Sequence, residues 1–143
     1  MSIQAFCDGA CRGNPGRSSA AFAVYRFGEL VTSSAHVLPG LCTNNEAEYA
    51  ALKYLLLYLC AWGHERAQIF CDSTLVVNTV NEVWDVKHEH LKAPCNQCIG
   101  LLIRGRHTLT HVKGHAGVAG NELCDKLCND VLDKEEESNG KLG

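Results

Sequence analysis

Apolar and polar positions alternate in short stretches along the first third of the chain, then change to a longer period near residue 45. Ile3 to Cys7 (IQAFC) reads as a strand. Ala20 to Arg26 (AAFAVYR) and Leu30 to His36 (LVTSSAH) read as two more, joined by a tight turn at Phe27-Gly28-Glu29. An antiparallel meander is therefore predicted. The loop LPGLCTNN leads into a long helix from about Asn45 to Trp62, ended by Gly63. Gln68 to Cys71 is a short buried strand, and Ser73 to about Asn81 a helix. A further helix spans Leu91 to Leu102, with Pro94 near its start and Gly100 near its end. His107 to Val112 alternates as a strand, and Asn121 to about Lys134 forms the last helix. The order β-β-β-α-β-α-α-β-α predicts an α/β domain: a mixed five-stranded sheet with helices on both faces. The final stretch, KEEESNGKLG, is charged and lacks apolar anchors. The expected division is thus a folded domain over residues 1–134 and a disordered tail over 135–143.

Composition narrows this picture without changing it. A chain of 143 residues, 46% apolar and 20% charged, has the make-up of one soluble domain with a real core. No apolar run approaches the roughly 20 residues needed to span a bilayer, and MSIQAFCDGA is no secretory signal, so no membrane partner and a cytoplasmic location are expected. Nine cysteines in such a chain read as reduced, mostly buried thiols; Cys7, Cys60 and Cys71 all lie in apolar segments. Cys95 and Cys98 (CNQC) with Cys124 and Cys128 form a possible metal or disulfide set, but a C-x3-C spacing along a core helix face is poor geometry for zinc. The net charge of −3 excludes a strong nonspecific nucleic-acid binder, but not an enzyme that meets nucleic acid through cations and a local patch.

Candidate chemistry lies in four acids. The apolar stripe of the long helix runs through Ala51, Leu52, Leu55 and Leu59, and counting back by three and four places Glu48 on it. Glu46 falls on the polar side. A lone ionised carboxylate facing a core costs several kcal/mol unless paired or bound to a cation. Asp8 follows the first strand and opens DGACRGNPG; Asp72 follows the strand QIFC. An Asp at either place also suits a turn or an N-cap. Strand ends in α/β sheets are nevertheless where ligands gather. Asp125 lies in the first turns of the last helix, at the edge of its stripe. If the four converge, their repulsion calls for bound cations, and oxygen-only ligands favour Mg²⁺ or Mn²⁺. Two such ions form the clamp used in phosphodiester cleavage.

These segments resemble the type 1 ribonucleases H. DGACRGNPG looks like the family's first-strand motif, TNNEAEYAAL its glutamate segment, FCDS its strand-end aspartate, and KGHAGVAGNELCDKL its closing block. The resemblance covers about Ile3 to Val131. It implies an endoribonuclease that hydrolyses the RNA strand of RNA–DNA hybrids and leaves 5′-phosphate and 3′-hydroxyl ends. Asp8 is then expected to bridge two Mg²⁺ ions (Mn²⁺ as an alternative), with Glu48, Asp72 and Asp125 completing the metal shells. His115, in a glycine-rich loop, is expected to assist proton transfer or product departure. The resemblance further implies hybrid contacts through Cys11, Asn14, Asn44 and Asn45, which can read the 2′-OH, and a DNA phosphate contact at Thr43. Trp84 is placed to pack against a DNA sugar or at a core edge. The expected working form is a monomer.

One stretch departs from many relatives. Where they carry a lysine-rich protrusion, this chain has NEVWDVKHEHLKAPCNQC, with Lys87 and Lys92 against Asp85 and Glu89. It is similar to the form lacking the full basic protrusion, and weak hybrid binding with a shallow salt dependence is expected. A related exonuclease is disfavoured because its second acid, two residues after the first, is Ala10 here. A binding module without catalysis is disfavoured because all four acids are present. A start of the first strand at Ile3 is expected to leave no room for an upstream polymerase or hybrid-binding module.

Overall fold

In the computed structural model, which describes residues 3–113 and 118–142, the elements follow the predicted order. They are β1 (Ile3–Gly13), β2 (Gly16–Arg26), β3 (Glu29–Val37), α1 (Asn44–Ala61), β4 (Gln68–Cys71), α2 (Thr74–Val80), α3 (Glu89–Arg104), β5 (Thr108–His111) and α4 (Ala119–Leu142). The strands form one mixed sheet in the order β3-β2-β1-β4-β5. β1 pairs antiparallel with β2 and parallel with β4, and β4 pairs parallel with β5. The predicted fold class is the observed one.

Strand alternation divides the core in two. Ala5 and Cys7 of β1 join Phe22, Val24, Ile69 and Cys71 beneath α1, while Phe6 joins Ala21, Ala23, Cys124 and Cys128 beneath α4. α1 buries Tyr49, Leu52, Leu55, Leu56 and Leu59, each worth about 1.5–3 kcal/mol when fully removed from water. Its start is fixed by a capping box: Thr43 Oγ1 accepts from Glu46 N–H, and the Thr43 N–H donates to Glu46 Oε1. Glu46 is thereby engaged on the outer side of the helix, as its position off the stripe predicts. Tyr49 OH meets Thr79 Oγ1 at 2.6 Å and ties α1 to α2. No helix among the described residues is long and apolar enough to cross a membrane.

Two sequence expectations need revision. β1 does not stop at Cys7: residues 8–13 remain paired with β2 down to Gly13↔Gly16, leaving only Asn14 and Pro15 in the turn. Gly9 and Gly13, which suggested a loop, are absorbed because the β2 partners from Gly16 to Ala21 supply a complete antiparallel ladder. The second revision concerns the tail. α4 continues as helix through residues 135–142, where disorder was expected. Its acids have partners on the hairpin: Arg12 pairs with Asp133 at 2.7 Å and Glu136 at 2.8 Å, and Arg17 with Glu135 at 2.5 Å. Long-range ion pairs thus replace the apolar anchors that the tail lacks.

Candidate active site

Register decides where the acids can meet. The β1–β4 ladder ends at Cys7↔Cys71, so Asp8 and Asp72 are the next residues on two adjacent parallel strands. Asp8 lies on the α4 side of the sheet, opposite Ala21, and is buried. Glu48 comes from α1 on the other side. The two can touch only here, where β4 has stopped and no backbone separates the faces. The Gly9 N–H donates to Glu48 Oε1 at 2.6 Å, and the Asp8 and Glu48 carboxyls lie within hydrogen-bonding reach of each other. A side chain at residue 9 would collide with the backbone of Ala47 and Glu48, so the close approach of strand to helix requires glycine.

Asp72 is free for this site because Ser73, not Asp72, caps α2: Ser73 Oγ accepts from Val76 N–H at 3.2 Å. The capping alternative therefore belongs to its neighbour. Asp125, half-buried on α4, acts through space on Asp8. α4 is itself held to β1 by thiols, with Cys124 Sγ donating to Phe6 O and Cys128 Sγ to Asp8 O.

Electrostatics report the crowding. Burial first, and then the charge of Asp72, push the Asp8 carboxyl up to about 7, with Asp125 adding to the rise. Glu48 is raised well above the usual carboxylate range, chiefly by burial, then by Cys71, Asp8 and Asp72. A structure that holds carboxyls against their own ionisation in this way is one that a multivalent cation would relieve. Asp8, Glu48, Asp72 and Asp125 thus fit a divalent-cation site.

Most of the residues expected to meet substrate line two depressions. Asn44 N–H donates to Asn14 Oδ1 at 3.0 Å, linking the hairpin turn to the start of α1. Cys11 Sγ donates to the carbonyls of Gly13 and of Cys42, the latter at 3.0 Å. Asn14, Thr43 and Asn45 line one depression with His88 and His90. Asn45 also lines a cavity of about 590 Å³, whose far wall carries Trp84, Lys87 and His88. Trp84 is 49% exposed, which makes it a rim residue. Thr43 Oγ1 is already engaged in the α1 cap. His115 lies outside the described residues.

Pattern reading missed three participants. Gly9 was hidden because its requirement is a contact across the fold. His111, at the end of β5, reaches Asp72 O at 3.2 Å and Thr74 Oγ1 at 3.3 Å through Nε2. Cys71 has its sulfur within 4.8 Å of carboxylate oxygens of both Glu48 and Asp72; the signal was its place directly before Asp72. The zinc set considered above is split by the sheet, with Cys95 and Cys98 in the α1-side core and Cys124 and Cys128 in the α4-side core.

Comparison with known proteins agrees with this geometry. Residues 1–133 match the family model described as RNase H. The chain is 32% identical over 136 residues to ribonuclease HI of Halobacterium salinarum, covering 92% of this chain and 64% of that protein. The crystal structure of RNase H1 from Halobacterium salinarum superposes with a TM-score of 0.84 at 31% identity, covering 94% of this chain and 99% of that one. LC11-RNase H1, solved in complex with RNA/DNA hybrid, superposes with a TM-score of 0.81 at 26% identity, covering 93% and 98%.

Proposed function

The chain belongs to the RNase H family, and we propose that it is an endoribonuclease hydrolysing the RNA strand of RNA–DNA hybrids, with 5′-phosphate and 3′-hydroxyl products. The observation that carries this reading is the electrostatic coupling of Asp8 to Glu48, Asp72 and Asp125 at the end of the β1–β4 ladder, with the depression lined by Asn14, Thr43 and Asn45 as the proposed substrate contact. Asp8 would be shared between two divalent ions, Mg²⁺ first and Mn²⁺ second; Glu48, Asp72 and Asp125 would complete their ligands. Bound there, such ions supply an activated water and charge stabilisation at the departing oxygen.

The protein's own contribution is position. Gly9 N–H fixes one oxygen of Glu48 in a carboxylate that also feels Asp8 and Asp72. Burial and mutual repulsion raise both carboxyls of the Asp8–Glu48 pair and so favour a shared proton, which a bound cation would displace. The Asn14 amide group, whose oxygen accepts from Asn44 N–H, is assigned to a ribose 2′-OH. Trp84 offers an apolar surface to a sugar at the far rim. His115 is assigned the proton-transfer or product-release role on the family motif alone. The working form is proposed to be monomeric and cytoplasmic.

Labelled RNA–DNA hybrid, duplex RNA, duplex DNA and single strands, each with Mg²⁺, Mn²⁺ or EDTA, test the reading. Cleavage of the RNA strand in hybrid alone, and only with a divalent ion, is expected. Equal cleavage of duplex RNA, or cleavage in EDTA, overturns it.

A further inference from the structure

The acid cluster is not uniform in donor chemistry. Asp8 and Asp125 approach from the α4 side and offer oxygen only. Next to them, Cys71 Sγ, a Glu48 carboxylate oxygen and an Asp72 carboxylate oxygen lie within 4.8 Å of one another. An ion at the centre of an equilateral triangle with that side sits about 2.8 Å from each corner. Side-chain shifts of well under 1 Å bring the corners to the bonding lengths of about 2.0–2.3 Å that zinc takes with oxygen and sulfur. The sulfur is also held in place: Cys71 is fully buried and stands in register with the Cys7 thiol of β1 in the same core. Such an outer partner orients a metal ligand. Hard oxygen donors suit Mg²⁺ and Mn²⁺, whereas a sulfur donor shifts preference toward thiophilic ions.

We propose that Cys71, Glu48 and Asp72 form a mixed sulfur–oxygen site for a thiophilic divalent cation of the zinc and cadmium class, overlapping the all-oxygen site and competing with it. Binding exchanges the Cys71 thiol proton, released to solvent, for a sulfur–metal bond. Because Glu48 and Asp72 would be taken by the same ion, occupancy excludes the hard-ion arrangement and switches hydrolysis off. The proposal deepens the reading of these carboxylates as a cation site and rests on it.

Metal-free protein titrated with Cd²⁺, followed by the ultraviolet thiolate-to-cadmium charge-transfer band, provides a test independent of turnover. Other thiols contribute background, so the diagnostic component is the one lost in both Cys71→Ser and Asp72→Asn. Loss of a direct ligand costs at least as much as loss of an outer partner, about 10–100-fold in affinity. A Cd²⁺ affinity lowered by that factor in both variants, with Mg²⁺ displacing Cd²⁺ from the wild type, is expected. A band unchanged in Cys71→Ser, or lost there but untouched by Asp72→Asn, overturns the proposal. Circular dichroism checks the fold, and Cys71→Ala replaces Cys71→Ser if the serine does not fold. Hybrid cleavage by the wild type in Mg²⁺ is measured separately. If it is absent while the shared band persists, the proposed activity fails and the mixed site stands.

Discussion

The backbone N–H of Gly9 on β1 donates to the side chain of Glu48 on α1 at 2.6 Å, so a main-chain atom of the central strand orients an acid of the neighbouring helix. Replacing Gly9 with Ala pushes a methyl into the Ala47–Glu48 backbone. Overpacking of this kind costs about 1–3 kcal/mol, and here the strain falls on the site itself. Gly9→Ala is expected to lower the thermal midpoint by several degrees and to reduce hybrid cleavage by more than the stability loss explains. Calorimetry and a single-turnover assay at a temperature where the variant is fully folded separate the two effects.

Asp8→Asn should remove cleavage, by more than about 1,000-fold, because several kcal/mol of cation-dependent stabilisation goes with the ligand. Its effect on stability has the opposite sign. In EDTA, between an unfolded value of 3.8 and a folded value of about 7, the native protein holds a proton at Asp8 that the unfolded chain has released. Wild-type stability therefore falls as pH rises through this window and levels off above it. The raised Glu48 carboxyl acts in the same direction. Asp8→Asn should flatten the fall and be the more stable protein at pH 8. Urea denaturation across pH 4–8 measures this, and wild-type stability rising with pH would contradict the assignment.

Ser73 and Asp72 divide capping from chemistry. Ser73→Ala removes the α2 cap and is expected to cost about 1 kcal/mol while leaving most cleavage intact. Asp72→Asn should do the reverse, with little change in denaturant midpoint and activity lost. Comparable stability losses in the two variants would show that Asp72 serves the helix instead.

Arg12 and Arg17 lie on the hairpin that carries Cys11 and Asn14, but α4 holds both in ion pairs. Lys92 is likewise paired with Glu89, at 2.8 Å. Arg12, Arg17 and Lys92 are thus already engaged, so the slope of log K against log salt for hybrid binding is expected to be shallow, about −2 to −4. Asp133→Asn, Glu135→Gln and Glu136→Gln together remove the carboxylate charges opposite both guanidinium groups and should steepen the slope by about 1–2. Because Asp133 and Glu136 are exposed and Glu135 is partly so, each pair is screened by solvent and should contribute no more than about 1 kcal/mol to stability. Fluorescence anisotropy with labelled hybrid in EDTA measures the slope without cleavage.

Much of this architecture was legible because period and punctuation agree with the fold. Gln68–Cys71 was bounded correctly from four apolar-rich residues before an Asp-Ser pair, and the stripe of α1 placed Glu48 inward. What escaped depends on partners distant in sequence. Residues 9–13 look like a turn until β2 is laid beside them. Residues 135–142 look unanchored until Arg12 and Arg17 reach them. Asp72 and Ser73 are equally good caps by type, and only the hydrogen bond to Val76 chooses between them. No local pattern reveals that Cys71 stands beside Glu48, since their separation is set by the packing of α1 on β4.

β1 has neighbours on both edges as far as Cys7 and on one edge only from Asp8 onward. Beyond that step and past the Gly9 N–H, which Glu48 takes up, its outer margin has no strand partner, and amide groups look the same whatever side chains they carry. Surface recognition built on such a ledge is insensitive to residue identity at Ala10 and Cys11, so a randomised library there should retain many working members. Gly9, one position earlier, should tolerate almost none.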